Sequence, residues 1–167
     1  MIAHKFLRPG LVGPFTGFRW EPGAWVGKVD APDLCLSGVH ACRVGDLPYW
    51  VNRELWEIEL DGEIVAGERK VTAGRGRLLR PIEGWDEAAE RALAQACAAR
   101  ARAFAAARPD DLHLVAMAAD AESLAATGLA HVATYVAAVA AERSGGPDGR
   151  AAERQAQAGW FAELLRS

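Results

Sequence analysis

Cys35, His40 and Cys42 lie within eight residues of one another and could bind a metal or act as nucleophile and base. They lie in Leu34-Cys35-Leu36-Ser37-Gly38-Val39-His40-Ala41-Cys42, two alternating apolar runs around Ser37-Gly38. Gly38 can take the positive φ of a tight hairpin. With Ser37-Gly38 as the turn, Cys35 pairs with His40, and Cys42 falls on the same face as His40. Leu34, Leu36, Val39 and Ala41 then share the other face. Three uses of the Cys35–His40–Cys42 face compete. Two thiolates and an imidazole are good zinc ligands, but the Cys-x4-His-x-Cys spacing has no Cys-x2-Cys pair and no evident fourth ligand. His40 could instead serve as general acid or base, with Cys42 as nucleophile. The third use is packing: cysteine is among the most buried residues, and a lone histidine is commonly half-buried.

Other polar and aromatic candidates surround this stretch. Asp46-Leu47-Pro48-Tyr49-Trp50-Val51 reads as a short helix or turn, with Asp46 as its N-cap and Pro48 in its first turn. It would carry Tyr49 and Trp50 toward the hairpin. Leu55 to Leu60 reads as a strand with Trp56, Ile58 and Leu60 on one face and Glu57 and Glu59 on the other. The two glutamates could work as a carboxylate pair beside His40 and Tyr49, or be the solvated face of an antiparallel strand. Upstream, Phe15, Phe18, Trp20 and Trp25 are too many aromatics for a free loop and must cover a core or a ligand. Arg19 between Phe18 and Trp20 could bind an anion or stack on a ring.

The elements that must position these residues follow from composition. A hydrophobic fraction of 51% in 167 residues allows a sizeable core. The net charge of −3 disfavours nucleic acid and anionic membranes as partners. Arg69, Lys70, Arg75, Arg77 and Arg80 form a local basic stretch, readable as a phosphate contact or as an edge kept soluble by charge. Three cysteines without a disulfide pattern suit a reducing, cytoplasmic setting. No secretory signal and no run long enough to span a bilayer is evident.

Up to about Trp85 the chain is rich in Gly, Pro, Val and Trp; after Asp86 it is rich in Ala, Leu, Arg and Glu. Residues 1–85 are therefore expected to be a β-rich module and 86–167 a helical region packed on it. In the first part Asp61-Gly62 signals a turn, and Gly74-Arg75-Gly76 a bulge or turn between strands. In the second, Asp86 caps a helix to about Arg108, and Pro109-Asp110-Asp111 breaks and caps again. Further helices are expected from about Leu112 to Ala125, Leu129 to Arg143 and Ala151 to Leu165, with Ser144 to Gly149 as a loop. His113 and His131 are expected at the surface or boundary.

Residues 4–82 resemble a family of uncharacterised phage and bacterial proteins. The shared elements are Lys5-Phe6, Gly17-Phe18-x-Trp20-x-x-Gly23, and Leu34-Cys35-x-x-Gly38-Val39-His40-x-Cys42. Tyr49, Glu57-Ile58-Glu59, Gly62-Glu63-Ile64, Lys70-Val71 and Arg80-x-Ile82 complete them. The whole chain is also similar to hypothetical actinobacterial proteins. The resemblance implies one β-rich module with His40 and the cysteines at its centre, and names no reaction. The order His40, Tyr49, Glu57 or Glu59 is similar to that of histidine–tyrosine–glutamate ADP-ribosyltransferases, at intervals too compressed for that fold.

The expectation is an α+β protein: a small, twisted, mostly antiparallel sheet or half-barrel followed by an alanine-rich helical layer. Two functions stay open. One is a small-molecule enzyme or binding protein, its pocket lined by Arg19, Trp20, Trp25 and Trp50. His40, Tyr49, Glu57 and Glu59 would be its catalytic groups, with no cofactor unless zinc at Cys35, His40 and Cys42. The other is a non-catalytic module that binds a protein or forms a homodimer through its helices.

Overall fold

Period-two alternation puts Ala3 and Leu7 of β1 (Ile2–Leu7) into one core. The same core takes Val39 and Ala41 from β2 (Val39–Ala41), Ile58 and Leu60 from β3 (Glu54–Ala66), and Val71, Ala73 and Leu78 from β4 (Val71–Pro81). The strand order is β1-β3-β4-β2, antiparallel throughout. The sheet curls so far that its outer strands touch. His4 and Cys42 exchange both backbone hydrogen bonds, at 2.9 and 2.7 Å. The result is a half-barrel closed at a single residue pair. In this computed structural model, which describes residues 1–166, the half-barrel belongs to a compact unit spanning Met1–Glu83, and the helices form a second unit from Gly84 onward. The protein is α+β.

Two glycine signals have other uses than those expected. Asp61-Gly62 does not end a strand. Gly62, at φ 85°, sits in a bulge where the β3–β4 register shifts, and β3 runs on to Ala66. The chain reverses later, where Gly67 N–H donates to the Lys70 carbonyl at 2.8 Å. Gly74 and Gly76 do not interrupt β4. β2 covers the edge of β4 only at Val71 to Ala73, and the segment 23–29 covers the rest. There Val26 and Gly76 exchange bonds of 2.8 and 2.9 Å, and a Cβ on Gly74 would collide with the Val29 carbonyl. Both glycines are where they are because another backbone lies against them.

In the second unit α1 (Glu87–Ala107) is capped by Asp86, whose side chain accepts from Ala89 N–H at 2.8 Å. α2 (Leu112–Ala126) is capped by Asp111 in the same way. The expected loop from Ser144 to Gly149 contracts to one residue. α3 (Ala130–Leu164) kinks at Gly146, φ 68°, and Pro147 opens its second limb, where a missing N–H costs nothing. The limbs fold back on each other: Gln157 donates to the Thr134 carbonyl at 3.0 Å, and Arg150 bonds to Glu142. Gln157 also bonds Glu153, which binds Arg100, so a buried polar network runs through an alanine-lined interior. Phe161 is buried against Trp85, ring centres 5.4 Å apart. His113 and His131 are exposed. Among the described residues no helix is long and apolar enough to cross a membrane.

Candidate functional site

The hairpin expected at Ser37-Gly38 does not form. Asp33 to Ser37 is itself a turn: the Asp33 carbonyl accepts from Leu36 and Ser37 N–H at 3.2 and 3.0 Å, and Asp33 N–H donates to Ser37 Oγ at 3.0 Å. Such local bonding by Asp and Ser competes with strand pairing. β2 pairs instead with β4, His40 facing Thr72. The turn lies over that pair. Thr72 Oγ1 donates to the Ser37 carbonyl at 3.1 Å. Gly38, at φ 88°, is wedged in: a Cβ there would fall 2.6 Å from the Ala73 carbonyl oxygen and 2.7 Å from Thr72 Oγ1.

This seating brings Cys35 and His40 together by another route than strand pairing. Cys35 stands at φ 72°, in the left-handed region that side chains disfavour. Its N–H donates to His40 Nε2 at 3.1 Å. Nε2 therefore carries no proton, and the neutral imidazole has its hydrogen on Nδ1. Burial, then the positive charges of Lys70 and Lys5, hold the His40 pKa below its ordinary value, in agreement with that assignment.

Two lysines complete the cluster. Lys70, just before β4, donates from Nζ to Cys35 Sγ at 2.9 Å, and the same ammonium lies 5.5 Å from the centre of the Trp50 ring. Lys5 follows Ala3 and precedes Leu7 on the inward face of β1. Beyond the His4–Cys42 pair the barrel seam opens, and Lys5 Nζ fills it, donating to the His40 carbonyl at 2.6 Å, 5.0 Å from the Trp20 ring centre. Burial, opposed by the charge of Cys42, brings the Lys5 pKa down to about 8.

Cys42 separates from the other two candidates. It is buried opposite His4, and burial pushes its thiol up to about 12. Among the described residues no group of three or more His, Cys, Asp and Glu side chains is placed to hold a metal ion. Cys35 is exposed, so the accessible thiol beside His40 is Cys35.

The aromatics do not converge on one pocket. Trp20 is in the half-barrel core. Trp25 lies on the outer face under the guanidinium groups of Arg75 and Arg77, at 4.6 and 4.8 Å. Tyr49 and Trp50 lie at the end of a 3-10 helix, Val44–Tyr49. That helix starts earlier than expected. Arg43 is its N-cap, and Asp46 sits at the third position, bonding back to Arg43 N–H at 3.0 Å and to its guanidinium at 2.7 Å. The Arg69 guanidinium lies 4.8 Å from the Tyr49 ring, and Trp50 Nε1 donates to the Arg69 carbonyl at 2.6 Å. Trp50 thus borders the cluster, and exposed Phe15 meets its ring edge-on at 5.8 Å. Arg19 is exposed and bridges Val12 through its backbone.

Glu57 and Glu59 are elsewhere. Each faces an arginine across the β3–β4 pair: Glu57 with Arg80 at 2.9 Å, Glu59 with Arg77 at 2.8 Å, and Asp61 continues the row with Arg75. His40 faces Thr72 and Glu59 faces Arg77, so about 16 Å of strand separates them at ~3.3 Å per residue. The basic stretch expected near Arg75 is neutralised by this ladder. Lys70, expected only as part of a basic stretch, and Lys5, expected only as an element of the resemblance, join the cluster here.

Comparison with protein-family models, with curated proteins and with solved structures gives no match for this chain.

Proposed function

We propose that the β-rich unit handles a small molecule at the Cys35–His40–Lys70–Trp50 cluster, with Cys35 as its nucleophile. The 2.9 Å contact between the Lys70 ammonium and Cys35 Sγ carries this reading. The thiolate is the attacking form of cysteine, and an ammonium that donates to sulfur partners its charge. His40 supports the reading as a positioning residue rather than a base. Its Nε2 is occupied by the Cys35 N–H and holds that backbone in its left-handed conformation. Trp50 and Phe15 supply an aromatic wall for the apolar part of a substrate. Tyr49 supports that wall through Arg69. Glu57, Glu59, Arg19, Trp20 and Trp25 stand outside the reacting centre. Free thiols at Cys35, Cys42 and Cys97 support a reducing, cytoplasmic setting.

Alkylation by iodoacetamide tests this, read by peptide mass mapping. Cys35 is expected to react faster than a cysteine in a short unstructured peptide at the same pH. Lys70→Met should slow it about five- to tenfold, the worth of one charge at close range. Equal rates in peptide, parent and variant would remove the nucleophile. They would favour a second reading, a non-catalytic module that binds a partner or a second copy through its helices. Exposed Leu112, Val115 and Tyr135 on α2 and α3 support that alternative.

A further inference from the structure

We infer that the electrophile accepted at Cys35 carries a negative charge, a carboxylate or a comparably small anion. This rests on Cys35 being the nucleophile, and it comes from the arrangement of charges. Around the cluster the acidic side chains are already engaged by arginines: Asp46 by Arg43 at 2.7 Å and Glu68 by Arg69 at 3.2 Å. The ladder on β3 and β4 uses up Glu57, Glu59 and Asp61 in the same way. Among the described residues neither Lys5 nor Lys70 makes an ion pair with a carboxylate. Lys70 contacts a sulfur and a ring; Lys5 contacts a carbonyl and a ring. His40 is neutral. Asp33, the acid nearest in sequence, closes the turn through its backbone N–H and carbonyl. The Lys70 ammonium is the cation at the sulfur, and in the reactive form the Cys35 thiolate is its counter-charge. When the sulfur forms a bond to carbon its charge disappears, and Lys70 is free to pair with the anionic group of the bound product.

Two reagents with the same reacting carbon isolate the charge. Iodoacetate is an anion and iodoacetamide is neutral. In both, the Cys35 thiolate attacks the CH2 carbon, the C–S bond forms, and iodide leaves with the C–I electron pair; the thiol proton has gone to water. The readout is the ratio of their rates at Cys35, divided by the same ratio for the unstructured peptide, with Cys35→Ser as the blank. The expected ratio is at least about fourfold in favour of iodoacetate, the worth of one unit charge at ~5 Å in water. It should shrink in 1 M salt. Lys70→Gln should bring it to the peptide value and Lys70→Arg should keep it, which separates charge from folding. A ratio at or below the peptide value, with Cys35 still reacting quickly with iodoacetamide, would overturn the anion assignment and leave the nucleophile standing. Slow reaction with both reagents would remove the nucleophile and this inference with it.

Discussion

Along the outer face of β3 and β4, Glu57 meets Arg80, Glu59 meets Arg77 and Asp61 meets Arg75; before the other end of the same β4, Lys70 meets a thiol. The ladder has the residue types usually sought in an active site, yet each charge there already has its opposite. The cluster has fewer charges, and there Lys70 meets a thiol rather than a carboxylate. It also holds a cysteine in left-handed backbone and a histidine whose acceptor nitrogen is used to keep it there. The difference teaches that residue type marks a site less well than what each group still lacks. A satisfied ion pair is scaffold; an ammonium against sulfur has interactions left to offer.

The largest expected contrast between the regions is steric. Gly38 in the cluster and Gly62 in the ladder have nearly the same φ, 88° and 85°. An added Cβ at Gly62 meets nothing closer than Gly74 Cα at 3.6 Å, whereas at Gly38 it meets three atoms within 2.9 Å. Gly62→Ala should therefore cost only the left-handed conformation, about 1 kcal/mol. Gly38→Ala adds overpacking against β4 and should cost about 3 kcal/mol or more. Urea midpoints at unchanged slope measure both. Equal losses would mean that the turn from Asp33 to Ser37 is not seated on β4.

Next comes the buried amine, which has no counterpart in the ladder. Burial depresses Lys5 from 10.5 to about 8. Between those values the unfolded chain binds more proton than the folded one, so stability rises with pH across that window, by ~3 kcal/mol in total. Below about pH 8 the folded protein carries the full cost of a charge held in the barrel seam. Lys5→Met removes that cost but orphans the His40 carbonyl, a loss of ~1–3 kcal/mol. The variant should accordingly match or slightly exceed the parent at pH 7 and fall below it by pH 10.5. Denaturation curves at the two pH values decide this, and a constant difference would show that Lys5 is solvated.

Local chemistry explains which parts were legible in the sequence. The Asp86 cap and the break at Asp111 are written within a few residues of where they act. The order of a β-rich half and a helical half follows from the same local signals. Glycine signals were right about backbone and wrong about purpose. Gly62 and Gly146 do have positive φ, but in a bulge and a kink, because the neighbouring strands and limbs find one another. The hairpin failed because Asp33 and Ser37 bond to each other while the partner of β2 lies far along the chain at Thr72. Cys35 and His40 do come together, through a backbone N–H that no spacing rule anticipates. Lys70 was legible only as part of a basic stretch and Lys5 only within a resemblance, because lysine is ordinarily a surface residue; the fold brings Lys5 to the His40 carbonyl and Lys70 to Cys35.

The smallest expected effects belong to the ladder, and they decide whether the comparison stands. The side chains of Arg77 and Glu59 are 38% and 33% exposed, and Arg80 is 68% exposed, so solvent screens both pairs. Glu57→Gln and Glu59→Gln should each cost less than about 1 kcal/mol, falling further in high salt. The rate of Cys35 alkylation should not move in either variant. Glu57 has one remote consequence. Burial lowers the His4 pKa, Glu57 opposes that, and Arg80 adds to it, so Glu57→Gln should push His4 lower still, a shift that NMR titration can follow. Slowed alkylation in Glu59→Gln would be the informative failure. A carboxylate about 16 Å away along β4 could reach Cys35 only through the backbone of that strand or through a substrate long enough to touch both. Either route would make the ladder part of the site and return Glu57 and Glu59 to the catalytic candidates.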